Sequence, residues 1–376
     1  MLNITARIVD SVSKIKRDDW DAVFKDAPEG YPFYELLESS CLREFSFHYL
    51  ILSEGDGIVF IAPLFIADFN LDIAAGKFIA GGIQLLRRIF PRLLVVKTLF
   101  CGSPFGENGV AGVRDSFEHK NELIAELVKG IEGFCQEKKI PLILFKDFLP
   151  KETLFLDALL PYRFFKVKSF PCAVTQLGCF SSFDDYLSSL GSATRKNLRR
   201  EIKKAYSTAE ISVKAVDCVG EIIEDIYRLY LNTYGAGMTK FEKLTPQFFL
   251  NAGKEMPGQA KFFLYYVNGR LAAFNLCFVY PDLFIDKFIG FDYDISQQVH
   301  LYYLSWCYNV EWCLKHKISS YQTGQTDYGA KLKLGAKLIP LYAYLRHNSR
   351  AINAILALLA KFLNPEKSDA LLKDKL

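Results

Sequence analysis

Apolar and polar positions in the first half of the chain alternate in a way that predicts strands and helices in turn. The apolar run Ile58–Phe69 predicts one or two strands with a bulge at Pro63, because proline cannot donate to a central ladder. A buried strand is predicted over Pro141–Phe145. Between these strands a helix is predicted over residues 121–138, where apolar residues recur at helical spacing: Leu123, Ile124, Leu127, Ile131 and Phe134. This order predicts an α/β domain that ends near residue 180.

The second half opens with a pair of predicted helices and continues with the strongest strand signal in the chain. Ser182 is placed to cap the first helix and Ser192 the second. The runs KFFLYYV, LAAFNLCFVY and LFIDKFIGF then predict an antiparallel meander of three strands, with turns at Asn268–Gly269 and Pro281–Asp282. An aromatic helix over residues 300–317 and a strand over residues 319–323 follow.

A chain of 376 residues is too long for one ordinary hydrophobic core and predicts two domains. We place them at residues 1–180 and 181–350, followed by a tail, residues 351–376, that combines an amphipathic helix with a charged end. The tail could pack back on the protein, form a homodimer or rest on a membrane, and the sequence leaves these alternatives open. Monomer and homodimer therefore both stay open.

No membrane-spanning segment is predicted. The longest strongly apolar runs, Ile58–Ala67 and Leu271–Pro281, reach ten or eleven residues, against the roughly 20 that a spanning helix requires. Residues 1–20 contain no apolar core of the kind found in signal peptides. The sequence therefore predicts a cytoplasmic protein. Its nine cysteines occur singly and its five histidines do not cluster, so neither disulfides nor a metal site are predicted.

Positive charge is concentrated in a few places. The net charge of +4 permits an anionic ligand without indicating DNA. One predicted helix carries a single acid, Glu201, and six cations: Arg195, Lys196, Arg199, Arg200, Lys203 and Lys204. This basic face contacts either an anion such as tRNA or solvent. A second cluster, Lys331, Lys333 and Lys337, lies in a glycine-bounded turn and has the same two interpretations. The basic, apolar stretch over residues 77–100 could contact a membrane surface or form a loop and helix with snorkelling cations.

One carboxylate interrupts an apolar strand. Asp286 stands in the middle of LFIDKFIGF, where burial would raise its pKa toward the range of a general base. The alternatives are an ion pair, for which Lys287 is a candidate partner, or a position at the edge of the sheet. Asp327, after the last strand, is a second candidate base, and Tyr328 and Tyr302 are candidate proton donors, although most tyrosines in a chain of this composition are packing residues.

Four segments together resemble a known family: FDDYLSSLGSATRKNLRREIKK, NGRLAAFNL, FIGFDYD and TGQTDYGAKLKLGAKLIPLYAYLR. Their order is similar to that in FemAB-like members of the GNAT acyltransferase superfamily, in the branch of two-domain, polysaccharide-associated acetyltransferases. The resemblance covers residues 180–350 well. It implies an α/β (α+β) fold of two tandem GNAT-like domains, each a mixed, mostly antiparallel twisted sheet flanked by helices, the first degenerate and the second carrying the reaction.

The resemblance also implies a reaction, the transfer of an acyl group from acetyl-CoA or another acyl-CoA, or of an aminoacyl group from tRNA. The acceptor would be an amine or hydroxyl of a small molecule or of a cell-envelope or polysaccharide precursor. Catalysis would fall to Asp286, Asp327 and Tyr328. Cofactor binding would involve Gln297, Gln298, Val299, His300, Lys331 and Lys333, and substrate binding Arg195, Arg199, Tyr302 and Gln325.

One segment departs from the family pattern. Ordinary GNAT enzymes hold pyrophosphate with a Q/RxxGxG/A loop before a helix, whereas DISQQVHLYY, at Asp294–Tyr303, contains no glycine. The alternative function is therefore a catalytically silent GNAT-fold module that binds a ligand or RNA.

Overall fold

The computed structural model describes residues 4–25, 27–71, 94–106, 108–237, 243–360 and 370–372. The chain divides into two compact units. Unit 1 comprises Met1–Glu38, Leu42–Pro171 and Ile339–Leu376, and unit 2 comprises Ser39–Cys41 and Cys172–Leu338. The domain limits 1–180, 181–350 and 351–376 stay a prediction. Most of the basic stretch over residues 77–100 lies outside the described residues.

The first part of the chain alternates strands and helices. Its strands are β1 Ile4–Val9, β2 Ser46–Glu54, β3 Gly57–Asn70, β4 Val95–Cys101, β5 Gly112–Val113, β6 Leu142–Phe148 and β7 Phe165–Gln176. Its α-helices are α1 Arg17–Phe24, α2 Tyr31–Ser39, α3 Lys120–Lys138 and α4 Pro150–Leu156, with 3-10 helices at Val12–Lys14 and Asp157–Tyr162.

The second part begins with helices and then builds the predicted meander. In chain order it contains α5 Phe183–Ser189, α6 Ser192–Thr208, β8 Ile211–Val216, a 3-10 helix Gly220–Ile222, α7 Ile223–Ala236, α8 Pro246–Glu255, β9 Ala260–Val267, β10 Arg270–Val279 and β11 Leu283–Phe291. It continues with α9 Tyr293–Gln298, α10 Leu301–Lys315, β12 Ser320–Gln322 and α11 Tyr328–Lys333. The chain then runs through β13 Lys337–His347, α12 Arg350–Ala360 and a 3-10 turn Ala370–Leu372.

Each unit contains a mixed, mostly antiparallel sheet, which confirms the predicted fold class. In unit 1 the strand order is β1-β2-β3-β4-β6-β13, with β5 added beside β3. In unit 2 it is β7-β12-β11-β10-β9-β8. Among the described strand pairs, β4 with β6 and β11 with β12 run parallel.

Pro63 does not carry the predicted bulge. β3 is one continuous strand, and its register against β2 shifts between Ile58 and Phe60 instead. β3 pairs with β5 at Phe60 and Ile61 and with β4 from Leu64 onward. Pro63 therefore lies between two partner strands, where its missing N–H leaves no gap in either ladder.

Two further local predictions are corrected. Gly191, not Ser192, is the N-cap of α6, whereas Ser182 does cap α5 by accepting from the Asp185 N–H at 3.1 Å. The lysine-rich segment was predicted as a turn between strands, but it contains the short helix α11. In contrast, the hairpin turn at Asn268–Gly269 is confirmed, with φ of 49° and 76°.

Helices cover both faces of the unit 2 sheet. On one face α10 packs Trp306 and Trp312 against Phe284 and Tyr321. On the other, α7 and α8 supply aromatic residues that contact Phe274 and Phe288. Within the described residues, no helix combines the length and apolar composition that crossing a membrane requires.

Candidate functional site

The parallel strands β11 and β12 separate in the middle of the unit 2 sheet. They pair over only three residues, Leu283–Ile285 opposite Ser320–Gln322. Beyond this point the chain after β12 stays with β7, since the Thr323 N–H donates to the Ala173 carbonyl at 2.9 Å. β11 instead continues beside β10 to Phe291. Asp286 is thus the first residue of β11 beyond its pairing with β12.

Three nitrogen and oxygen donors hold the Asp286 carboxylate, and the Cys277 thiol, 3.9 Å from Oδ1, is a fourth and weaker donor. Asn275 Nδ2, on β10, lies 2.9 and 3.0 Å from its two oxygens. Tyr321, on β12, donates its hydroxyl to Oδ2 at 2.9 Å, and Asn309 Nδ2, on α10, donates to the same oxygen at 3.2 Å. Asn275, Asn309 and Tyr321 are fully buried, whereas Asp286 keeps part of its surface exposed. The arrangement fixes the carboxylate in one orientation.

Burial raises the pKa of Asp286. The hydrogen bonds from Asn275 and Tyr321 and the positive charge of Lys331 act in the opposite direction, but they offset the burial only in part. A carboxylate with a raised pKa takes a proton more readily than an ordinary aspartate, as a general base must. The direction of the pKa shift at Asp286 is therefore the one that a general base needs.

The proposed ion pair between Asp286 and Lys287 does not form. Successive residues of a strand point to opposite faces of the sheet, and Lys287 Nζ lies 5.8 Å from the centre of the Phe278 ring. The positive charge that acts on Asp286 comes from Lys331. Lys331 is buried and donates to the Thr323 carbonyl, just past the end of β12.

Tyr302 lies within electrostatic reach of two candidate bases, Asp286 and Asp327. Burial, followed by the charges of Asp327 and then Asp286, raises the pKa of Tyr302. Asp327 is exposed at the start of α11, in the left-handed conformation with φ of 52°, and its side chain makes no capping hydrogen bond. Tyr328, the next residue, is buried. Of the residues singled out from the sequence, Lys331 is therefore within electrostatic reach of Asp286, and Asp286 and Asp327 are within electrostatic reach of Tyr302.

The segment expected to bind pyrophosphate is the junction of α9 and α10. Gln297 and Gln298 are exposed, and the Gln298 amide donates to the Asp294 carbonyl at 2.8 Å. Val299 is buried. His300 adopts φ of 50°, the left-handed conformation that a glycine would otherwise supply, and its Nε2 lies 3.0 Å from a Glu201 oxygen.

The start of α10 is the part of this segment that the sequence predicts to bind a phosphate group through its backbone. The first N–H groups of a helix have no partner within it and favour an anion. The left-handed turn at His300 brings the chain into α10 without a glycine. Phosphate groups are common to acyl-CoA and tRNA, so this feature does not distinguish the two donors. Lys333, also predicted to bind the cofactor, is exposed on α11.

Half of the cations on α6 are engaged within unit 2. Arg195 donates to the Ser188 and Leu190 carbonyls at 3.0 and 3.5 Å, at the end of α5. Arg199 pairs with Asp184 at 3.0 Å, and Arg200 bonds to Asn197 and Glu201. In the part of the chain that the structure describes, Lys196, Lys203 and Lys204 are exposed and form no ion pair.

Sequence reasoning missed the three residues that hold Asp286. Asn275 interrupts an apolar strand and Asn309 an aromatic helix, and a buried amide must find a partner. That rule could have singled them out, although it does not identify the partner. The Asn275 and Asn309 side-chain oxygens and Gln325 Nε2 are buried and lack a partner among the described residues. Gln325, predicted to bind substrate, thus has an amide group available to a ligand or water.

Solved structures share this fold at low sequence identity. FemX matches with a TM-score of 0.58 and 11% identity, covering 93% of this chain and 100% of its own. The C-terminal domain of a putative lysylphosphatidylglycerol synthetase from Agrobacterium fabrum matches with a TM-score of 0.54 and 12% identity, covering 94% and 97%. A tandem GNAT protein from the clavulanic acid biosynthesis pathway matches with a TM-score of 0.54 and 11% identity, covering 92% and 99%.

Identities this low establish the fold alone, and no curated protein matches the sequence. The family, however, is established by a model that covers nearly the whole chain. This model, described as peptidoglycan biosynthesis/recognition, matches residues 11–370. The resemblance inferred from the sequence is confirmed, and the chain belongs to the FemAB-like family.

Proposed function

We propose that unit 2 transfers an acyl or aminoacyl group to an amine or hydroxyl of a cell-envelope precursor. Membership of the FemAB-like family supports a transferase that acts on such precursors. The observation that carries the proposal is the position of Asp286, a carboxylate held by three donors where two parallel strands separate. The acyl donor is either an acyl-CoA, such as acetyl-CoA, or an aminoacyl-tRNA.

Asp286 acts as the general base in this proposal. As the acceptor nitrogen or oxygen bonds to the acyl carbon, it must lose a proton, and the carboxylate accepts that proton. Asn275, Asn309 and Tyr321 act as positioning residues, since their hydrogen bonds keep the carboxylate oriented. A fixed orientation allows proton transfer without rearrangement of the site.

Tyr302 supplies the proton for the leaving group. The phenol is protonated at neutral pH, and the negative charge of Asp286 raises its pKa. Once Asp286 has accepted the proton of the acceptor this charge is gone, so Tyr302 becomes a stronger acid at the step in which it must donate. When the tetrahedral intermediate collapses, the bond to the donor breaks and the leaving sulfur or oxygen takes the phenolic proton. Lys331 places positive charge beside the same site, where it favours the negative oxygen of the intermediate. Asp327, whose charge acts on Tyr302, and its neighbour Tyr328 stay candidate catalytic residues.

A direct assay separates the two donors. The protein is incubated with a peptidoglycan-precursor peptide bearing free amines, together with either acetyl-CoA or a mixture of aminoacyl-tRNAs, and the peptide mass is measured. We expect one donor to add its acyl mass and the Asp286→Asn variant to add none. Absence of a mass gain with both donors, repeated with hydroxyl acceptors, would count against transfer.

An RNA-binding module without catalysis is the second candidate function. It is favoured by the exposed lysines of α6, Lys196, Lys203 and Lys204. Affinity for tRNA should then fall steeply with salt, and Lys196→Glu with Lys203→Glu should flatten the slope of log K against log salt by about 2. Lys129→Glu, a similar charge reversal on an exposed helix of unit 1, serves as a control and should leave the slope unchanged. Binding without any transfer would favour this candidate.

A further inference from the structure

The helix α12 in unit 1 buries a polar residue and exposes most of its large apolar residues. Asn353 is buried, where its amide donates to the Arg163 carbonyl at 2.9 Å and its oxygen accepts from the His347 N–H at 2.7 Å. Four large apolar residues of the same helix are between 44% and 58% exposed: Ile352, Ile355, Leu358 and Leu359. A helix on the surface of a globular protein normally has the opposite orientation.

The neighbouring 3-10 helix, Asp157–Tyr162, extends this apolar surface. It ends beside α12, because Asn353 binds the Arg163 carbonyl and Arg346 Nη1 donates to the Tyr162 carbonyl at 3.4 Å. Leu160 and Tyr162 are partly exposed there. We call the exposed residues of these two helices the α12 surface: Leu160, Tyr162, Ile352, Ile355, Leu358 and Leu359. Contiguous apolar patches of this kind mark sites of contact with proteins or membranes.

The charges around the α12 surface are positive toward solvent. Arg163 and Arg350 are exposed and, among the described residues, form no ion pair. The nearby acids, Glu132 and Asp157, are partly exposed, but each is paired with a cation. Glu132 pairs with Arg346 at 2.6 Å, and Asp157 lies 2.9 Å from Lys166 and 2.5 Å from the Tyr344 hydroxyl.

We propose that the α12 surface docks on an anionic lipid bilayer. Helices with an apolar face flanked by cations and aromatic residues lie in the interface between head groups and acyl chains. The exposed arginines would meet the negative head groups while the leucines and isoleucines enter the acyl region. Since no described helix can cross a membrane, the contact is with the surface of the bilayer.

A second copy of the chain fits this surface less well. Eleven residues of helix span about 16 Å and present a face about 10 Å wide. The helix face therefore covers roughly 160 Å², against the roughly 800 Å² per partner that a stable interface requires. A symmetric pair would also bring the same arginines near one another. A bilayer sets no minimum area and supplies the complementary charge.

Vesicle flotation with the full chain tests the proposal. The protein should float with vesicles of phosphatidylcholine and phosphatidylglycerol, and less with phosphatidylcholine alone. Ile355→Ser with Leu358→Ser should lower the partition coefficient about tenfold, because two apolar side chains no longer enter the bilayer. The control, Ala351→Ser with Ala354→Ser, changes exposed positions of the same helix and should bind like wild type. All variants should unfold at the wild-type temperature, since the altered side chains face outward.

Failure of the wild-type protein to float with anionic vesicles would overturn the proposal. A fall in solution mass of the Ile355→Ser, Leu358→Ser variant by light scattering would then identify a second copy as the occupant. A fall in its unfolding temperature would instead identify a segment of the chain itself. Equal flotation of this variant and its alanine-to-serine control would also reject the α12 surface as the contact.

Discussion

The two units contain the same strand–helix–strand connection but complete it differently. In unit 1, β4 and β6 pair in parallel over four residues, Thr98–Cys101 opposite Leu142–Phe145. Just past this pairing the Gly109 N–H donates to the Asp147 carbonyl at 2.7 Å. A Cβ on Gly109 would lie 2.3 Å from the Lys146 carbonyl oxygen, so the two backbones are in direct contact. In unit 2 the equivalent position beyond β11 and β12 is lined by polar side chains instead.

The carboxylates nearest these positions differ in the same way. Asp147, past the β4–β6 pairing, forms an ion pair with Lys146 at 2.6 Å. Asp286 forms no ion pair within the described residues, and its neutral partners leave its pKa raised. In unit 1 the backbones are in contact at this point and the acid is neutralised. We therefore assign this part of unit 1 a structural role. In unit 2, burying an acid without an ion pair and amides with unsatisfied atoms costs stability. A reaction that uses these groups would explain why the cost is tolerated.

The largest expected effect is the loss of transfer in Asp286→Asn. Removing a general base typically costs at least about 100-fold in rate, and kcat in the mass-based transfer assay should fall by that amount. Asp147→Asn is the matched control in unit 1, where asparagine also tolerates the observed φ of 62°. It should keep wild-type kcat. Equal losses in both variants would remove the functional distinction between the two units.

The stability of Asp286→Asn should change in the opposite direction to its activity. Because the folded-state pKa of Asp286 is raised above its ordinary value of 3.8, the folded protein binds this proton more tightly than the unfolded chain. The Asp286 contribution therefore favours folding most below pH 3.8 and declines as pH rises through the folded-state pKa. Asparagine carries no charge to desolvate. In urea titrations at neutral pH the variant should thus unfold at higher denaturant concentration than wild type.

The second expected effect is destabilisation by Gly109→Ala in unit 1. The added methyl group would meet the Lys146 carbonyl and the Phe148 ring, at 2.3 and 2.6 Å, so the backbone must move. Overpacking of this kind costs about 1–3 kcal/mol in the free energy of unfolding. Gly133→Ala, on the exposed side of α3 with no atom within 4 Å, is the control. It should stabilise by about 0.5–1 kcal/mol.

Transfer activity provides a second measurement on the glycine variants. Below its unfolding temperature, Gly109→Ala should keep wild-type kcat, because the contact that it disturbs is in unit 1 whereas Asp286 is in unit 2. If Gly109→Ala were as stable as wild type, the space between Gly109 and Lys146 in unit 1 would accommodate a methyl group. The structural contrast between the two units would then be wrong.

Sequence patterns could predict the fold of unit 2 because its strands are joined by local turns. The hairpin at Asn268–Gly269 joins β9 to β10, and Asp286 is conspicuous as a carboxylate within an apolar strand. Its partners could not be predicted in the same way. Asn275, Asn309 and Tyr321 lie 11, 23 and 35 positions away, on three different elements. Only the tertiary fold decides which buried amides and hydroxyls meet one carboxylate.

The basic clusters show a second limit of sequence reasoning. The pattern shows which residues share a helix face, but not whether an acid or carbonyl from another element already engages them. Arg195 and Arg199 are engaged at the end and start of α5. The lysine cluster is divided by the helix α11, which buries Lys331 and exposes Lys333. A turn would have exposed both lysines to solvent. Because the segment is helical instead, the predicted cluster does not form one surface.

The smallest expected effect, and the sharpest comparison of the two units, comes from paired Tyr→Phe substitutions. Tyr321 and Tyr344 are both fully buried and donate their hydroxyls to an aspartate, Asp286 at 2.9 Å in unit 2 and Asp157 at 2.5 Å in unit 1. Either substitution should cost about 1–3 kcal/mol of stability, since an acceptor loses its donor.

The pH dependence should separate the two variants. The Tyr321 hydrogen bond lowers the pKa of Asp286, so its removal should raise that pKa further. The acidic limb of the kcat/KM profile, where the base becomes protonated, should therefore move to higher pH in Tyr321→Phe, with the loss of rate growing toward the acidic side of the profile. Tyr344→Phe should leave the limb in place despite a similar loss of stability. A shift of the limb in both variants, or in neither, would mean that the limb does not report Asp286, and the base would have to be sought elsewhere in the molecule.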